Sequence, residues 1–105
     1  MRAETLKGHL DFLLLAALQH HASHGYAIVE TLRARSGGSF DVPEGTIYPA
    51  LHRLEHAGLL ASRWSTQSGR RRRTYRLTAK GQQALDRNRV EWRQFASAIE
   101  AVAGA

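Results

Sequence analysis

The side chains best equipped for chemistry in this sequence are cations and imidazoles. Arg70, Arg71, Arg72 and Arg73 stand side by side. Four adjacent guanidinium groups repel one another, and that repulsion is offset when phosphates arrive and counterions leave. A guanidinium suits a phosphate or a narrow minor groove equally well, so the run points to nucleic acid without choosing between the two. Successive strand residues face opposite ways, so Arg71 and Arg73 need not point where Arg70 and Arg72 do. Arg70 and Arg71 are the foremost contacts expected.

The imidazoles suggest a different chemistry. His52-Arg-Leu-Glu-His56 formally matches the H-x-x-E-H pattern of metal-dependent hydrolases, and two histidines at i, i+4 can share a zinc ion. His20 and His24 repeat that spacing. No third ligand accompanies either pair, and a chain of 105 residues is too short to build a hydrolase cleft around one. Neither a metal, a cofactor nor an enzymatic activity is therefore expected; zinc retained through purification without added metal would reverse that. The sequence has no cysteine, which excludes disulfides, thiolate zinc sites and cysteine nucleophiles.

The elements that must position these residues fit one small domain. Hydrophobic residues make up 43% and charged ones 23%, which argues against intrinsic disorder. Lys and Arg number 15 against 9 Asp and Glu, a net charge of +6 that fits a polyanionic partner. The apolar run Phe12–Leu18 lies downstream of Arg2 and Lys7. It follows Asp11, gives way to Gln19-His20-His21, and falls short of the roughly 20 residues a membrane span needs. It is read as a buried helix, over about 10–21, of a cytoplasmic protein with no membrane partner.

A second helix is expected over 25–35, from Tyr26, Ile28, Val29 and Leu32, ending at Gly37-Gly38. Ser23 or His24 can open it. Phe40–Val42 reads as a short extended bridge before Pro43. Ile47, Ala50, Leu51 and Leu54 then mark the inward face of a third helix, about 44–57, with Gly58 as its stop. Pro49 tolerates that helix only near its start, which places Thr46 and Tyr48 at the amino end. Thr46, Tyr48, Pro49, His52 and Arg53 form the candidate reading surface, with Arg53 also able to pair with Glu44 or Glu55.

Strands over 60–66 and 72–77 flank a basic turn, 67–71. Thr78 is a natural cap for a last helix, 79–103. Along it Leu85, Asn88, Trp92, Phe95, Ile99 and Val102 recur at steps of three and four, a coiled-coil-like seam for a second copy of the chain. The fold class is thus mainly α with a small β-hairpin (α+β). It is a winged helix-turn-helix (1–78) carrying an added C-terminal dimerisation helix (79–105). In such a fold the third helix enters the major groove of double-stranded DNA.

Gly25-Tyr-Ala-Ile28, Gly45-Thr-Ile-Tyr-Pro-Ala-Leu-His-Arg-Leu-Glu55, Gly58-Leu-Leu60, Gly69-Arg70 and Tyr75-Arg-Leu-Thr-Ala-Lys-Gly81 together resemble the PadR family of bacterial transcriptional regulators, over roughly residues 6–103. The resemblance implies a homodimeric repressor of the short branch, dimerised by the C-terminal helix and bound to an inverted-repeat operator. It also implies that Tyr48 touches DNA. Where the family commonly has proline beside the wing arginine, this chain has Arg71. Trp92 would lie at the dimer centre, where some relatives sandwich flat aromatic ligands. Asp11 and Phe12 would line the same space as Trp92, which makes a small aromatic or drug-like effector a possible partner there. Leu15, Leu85, Phe95 and Ile99 complete that candidate dimer and effector region. The rival from another class is a winged-helix module that binds an acidic protein. A preference for inverted-repeat over scrambled duplex at physiological salt separates the two readings.

Overall fold

The computed structural model describes residue 6 and residues 8–104; Arg2 and Lys7 lie outside them. The elements are α1 (Leu10–Ala17), β1 (Ser23–His24), α2 (Gly25–Arg35), α3 (Glu44–His56), β2 (Leu60–Gln67), β3 (Arg70–Leu77) and α4 (Ala79–Ala103). This is the α+β winged-helix arrangement expected, with these four helices and a three-stranded antiparallel sheet ordered β1-β3-β2 among the described residues.

Three expected details differ. The first helix ends at Ala17 rather than His21, because the chain must turn to bring Ser23 and His24 beside Tyr75 and Thr74 of β3. The small third strand is therefore this pair, and Phe40–Val42, though not helical, has no strand partner. The hairpin is also longer and its turn tighter than expected. Pairing runs from Leu60↔Leu77 out to Gln67↔Arg70. Ser68 (φ 52°) and Gly69 (φ 75°) alone make the turn. Two consecutive positive φ values match the right-handed twist of paired strands, so the ladder continues through Arg70 and Arg71.

The core forms where the apolar faces of the helices meet the base of the hairpin. Leu14 and Leu15 of α1, Ile28 and Leu32 of α2, and Ile47, Leu51 and Leu54 of α3 pack with Leu60, Tyr75 and Leu85. The i, i+3, i+4, i+7 stripe of α3 is its buried face, which fixes the opposite face toward solvent. Pro43, extended at φ −69° and ψ 150°, opens α3. Its carbonyl accepts from the N–H groups of Thr46 (3.0 Å) and Ile47 (3.2 Å). Pro49 thus sits in the second turn, and the Gly45 carbonyl it cannot serve is on the exposed side, where water can.

At the other end of the wing, Thr78 caps α4 by accepting from the Gly81 N–H at 3.0 Å. Its hydroxyl donates to the Gly58 carbonyl at 2.7 Å, and Lys80 donates to the Ala57 carbonyl at 2.9 Å. These bonds serve carbonyls at the end of α3 and tie the start of α4 to it.

Candidate nucleic-acid interface

The exposed face of α3 carries Thr46, Tyr48, Pro49, His52, Arg53 and His56. Its centre is Pro49, His52 and His56, with Tyr48 toward one edge and Arg53 toward the other. Arg53 pairs with neither Glu44 nor Glu55. Its Nη1 and Nη2 donate to the two carboxylate oxygens of Asp11 on α1, at 2.7 and 3.0 Å. That bidentate bond raises the arginine's pKa and turns it toward α1. Both groups are largely exposed, so the pair adds little stability and can be exchanged.

The four wing arginines divide into two sorts. Arg73 is tied to α3 and to the neighbouring strand: Nη2 donates to Glu55 Oε1 at 3.1 Å and Nε to Ser62 Oγ at 2.8 Å. Ser62 donates in turn to the other oxygen of Glu55. With both carboxylate oxygens engaged, Glu55 is committed to the wing rather than to the histidines beside it. Among the described residues no group of three or more metal-ligating side chains gathers.

Arg72 is held by His24, whose Nε2 lies 2.7 Å from Nη1. The Ala27 N–H reaches the other ring nitrogen at 3.4 Å as the cap of α2. A neutral imidazole has one unprotonated nitrogen, so these two donors compete. The shorter contact goes to Arg72, and the cap is correspondingly long. Burial, then the Arg72 charge, hold the His24 pKa below its ordinary value, while Glu44 acts the other way.

Arg70 and Arg71 are exposed, and no ion pair ties them to another described residue. The Arg71 guanidinium stands 4.8 Å from the centre of the Trp64 ring, which orients it without neutralising it. A cleft of about 570 Å³ separates α3 from the wing, lined by His24, Tyr26, Glu44, Tyr48, Trp64 and all four arginines. Sequence reasoning placed none of Trp64, His24 and Glu55 beside the wing arginines: Trp64 marked only a strand, His24 a helix start, and Glu55 an alternative partner for Arg53. Trp64 carried the clearest signal, being a large aromatic side chain on a strand beside a basic run.

Residues 14–87 match the family described as "Transcriptional regulator PadR-like family". The chain is 40% identical over 84 residues to "Transcriptional regulator Rv3488" of Mycobacterium tuberculosis, covering 76% of each. The chain belongs to the PadR-like family of transcriptional regulators. A PadR family regulator from Eggerthella lenta superposes with a TM-score of 0.82 at 32% identity, over 94% of this chain and 85% of that one. Bacillus subtilis PadR, solved in complex with operator DNA, shares the fold at a TM-score of 0.72 and 23% identity, over 89% of this chain and 59% of that one.

In this PadR-like chain the other expected group of residues only partly assembles. A second cleft, about 470 Å³, lies between α1 and α4 and is lined by Asp11, Phe12, Leu15, Trp92 and Phe95 among others. Trp92 meets His9 edge-on at 5.5 Å and Phe95 at 5.9 Å between ring centres. Leu85 does not join them: it is fully buried in the chain's own core, and Leu15 is buried there too while still bordering the cleft. Ile99 lies farther along α4. Beyond Arg89, α4 has little of its own chain to pack on, which leaves Trp92, Phe95, Ile99 and Val102 exposed.

Proposed function

We propose that this PadR-like regulator is a cytoplasmic homodimer that represses transcription by binding an inverted-repeat operator. Residues 1–78 act as the DNA-binding part and residues 79–105 as the dimerisation helix. The reading rests chiefly on one observation: Tyr48, at the edge of the exposed face of α3, lines a single cleft with the wing arginines Arg70 and Arg71. Each subunit places α3 in a major groove, with the two half-sites about 34–36 Å apart. Tyr48, which lines the cleft, bonds a phosphate, while Arg70 and Arg71 neutralise the flanking backbone. Thr46, Pro49, His52 and Arg53 face the groove; Arg72 and Arg73 support the wing and add to its field. That Bacillus subtilis PadR, of the same fold, was solved with operator DNA supports DNA as the partner.

Release follows from a small aromatic or drug-like effector in the α1–α4 cleft, among Trp92, Phe95, Phe12 and Asp11. Such a ligand must favour one spacing of the two recognition helices over another. Asp11 lines that cleft and also holds Arg53, so one ion pair would join the effector site to the DNA face.

The test uses a duplex recovered by the wild-type protein from a random-sequence pool. An inverted repeat is expected in it, bound well above scrambled duplex at physiological salt. The double variant Arg70→Ala/Arg71→Ala should bind every duplex more weakly, with the log–log salt slope reduced by about 1.8 for two lost phosphate contacts. An unchanged slope would place the wing away from phosphate. Equal affinity for scrambled duplex would favour the acidic-partner reading instead.

A further inference from the structure

Gly25 opens α2, yet its backbone does not call for glycine. Its φ lies outside the left-handed region that Gly58 and Gly69 occupy. At a helix start alanine is conformationally acceptable, so the absence of a side chain must serve something else. The neighbours supply the reason. A Cβ on Gly25 would stand 2.5 Å from both Cζ and Oη of Tyr48, and 2.7 Å from its Cε1. The three nearest atoms all belong to that one side chain and none to the backbone of α3. The first thing a side chain at position 25 would meet is thus the phenol of Tyr48. Gly25 is needed for the phenol to lie where it does.

The position matters because Tyr48 is both held and accessible. Gly25 is buried beneath it, while Tyr48 remains 36% exposed. Both Tyr48 and His24, the residue preceding Gly25, line the cleft between α3 and the wing. With room over Gly25, the tip of the phenol lies against the start of α2, and Tyr48 there lines the cleft. A methyl group at position 25 would force the ring to another rotamer, and the hydroxyl would leave with it.

We infer that Gly25 is a positioning residue for DNA binding: it acts through Tyr48, whose hydroxyl it allows to face a phosphate. This rests on the reading above that Tyr48 contacts DNA.

A double-mutant cycle tests it on the duplex selected by the wild-type protein. Affinity is read by fluorescence anisotropy and folding by thermal melting. Gly25→Ala and Tyr48→Ala should each weaken binding about tenfold, the size of one hydrogen bond to a charged group. The double variant should bind no more weakly than Tyr48→Ala alone. If Gly25→Ala also melts lower, adding Tyr48→Ala should recover part of that loss by removing the clash.

Two results overturn the inference while leaving Tyr48 as a DNA contact: Tyr48→Ala weakens binding and Gly25→Ala does not, or Gly25→Ala costs as much in the Tyr48→Ala background as in the wild type. If Tyr48→Ala binds like the wild type, both the inference and the reading beneath it fall.

Discussion

Arg70 and Arg73 are the same residue three positions apart on one strand, and their surroundings give them opposite roles. Arg73 donates to Ser62 and Glu55, so Arg73→Ala removes the tie between wing and α3 and leaves a half-buried carboxylate unpaired. A loss of about 1 kcal/mol is expected in urea unfolding. Arg70→Ala should change stability by less than about 0.5 kcal/mol, yet lower the salt slope of DNA binding by about 0.9. The run of four was legible in the sequence; its division was not. The Arg73 partners lie on α3 and β2, the Arg72 partner precedes α2, and only the folded register brings them together. His24 carries a further residue-scale consequence. Burial and Arg72 depress its pKa in the folded chain against the opposing pull of Glu44, so the unfolded chain takes up that proton first. The associated stability is complete above the ordinary histidine value near 6.5 and is lost as pH falls below it. Melting temperature should therefore drop between about pH 6.5 and 5, and His24→Gln should flatten that part of the profile. A wild-type melting temperature that is flat over this range would remove His24 from the account.

At the scale of elements, the sequence was most legible where one periodicity governed. The stripe Ile47, Ala50, Leu51, Leu54 is the buried side of α3, and Thr78 caps α4. It was least legible where pairing is non-local. Ser23-His24 has no strand pattern of its own and becomes β1 only because β3 offers an open edge at Thr74 and Tyr75. Phe40–Val42 had the better sequence signal and lacks such an edge. The wing turn was placed too widely because arginines read as loop, whereas charge on a side chain does not interrupt a backbone ladder. The contact between α1 and α3 was hidden for the same reason: Asp11 and Arg53 are 42 residues apart. An exposed ion pair adds about 0–1 kcal/mol, so Asp11→Asn should leave melting nearly unchanged. It should strengthen DNA binding a few-fold at low salt, since it frees Arg53 and removes a negative charge from the edge of the recognition face. In an Arg53→Ala background the gain should shrink to the part owed to net charge alone. An equal gain in both backgrounds would show that the pair does not restrain Arg53.

The molecule as a whole is elongated, 55 × 28 × 21 Å, and α4 is the reason. A helix of 25 residues is about 37 Å long, and its buried positions, Gly81, Ala84 and Leu85, all fall in the first two turns. The seam inferred from sequence therefore divides in two. Leu85 anchors the helix to its own domain, while Trp92, Phe95, Ile99 and Val102 present a continuous apolar row 44–89% exposed. A second copy about a two-fold axis would cover that row with the same row and bring the two Trp92–Phe95 clefts together. Ile99 is the sharpest probe, since it is half exposed and lies seven residues beyond Trp92, on the same side of the helix. Ile99→Glu would leave the winged-helix core untouched but put one carboxylate from each subunit on the seam. Sedimentation should show a wild-type dimer and an Ile99→Glu monomer of equal helix content by circular dichroism. The wild-type melting temperature should rise with protein concentration, and that of the variant should not. Affinity for an inverted repeat should fall toward that for a single half-site, because the second half-site is then bound without the effective concentration that a dimer provides. If Ile99→Glu remains dimeric, the α4 row is not the interface, and the effector site proposed around Trp92 loses its symmetric partner as well.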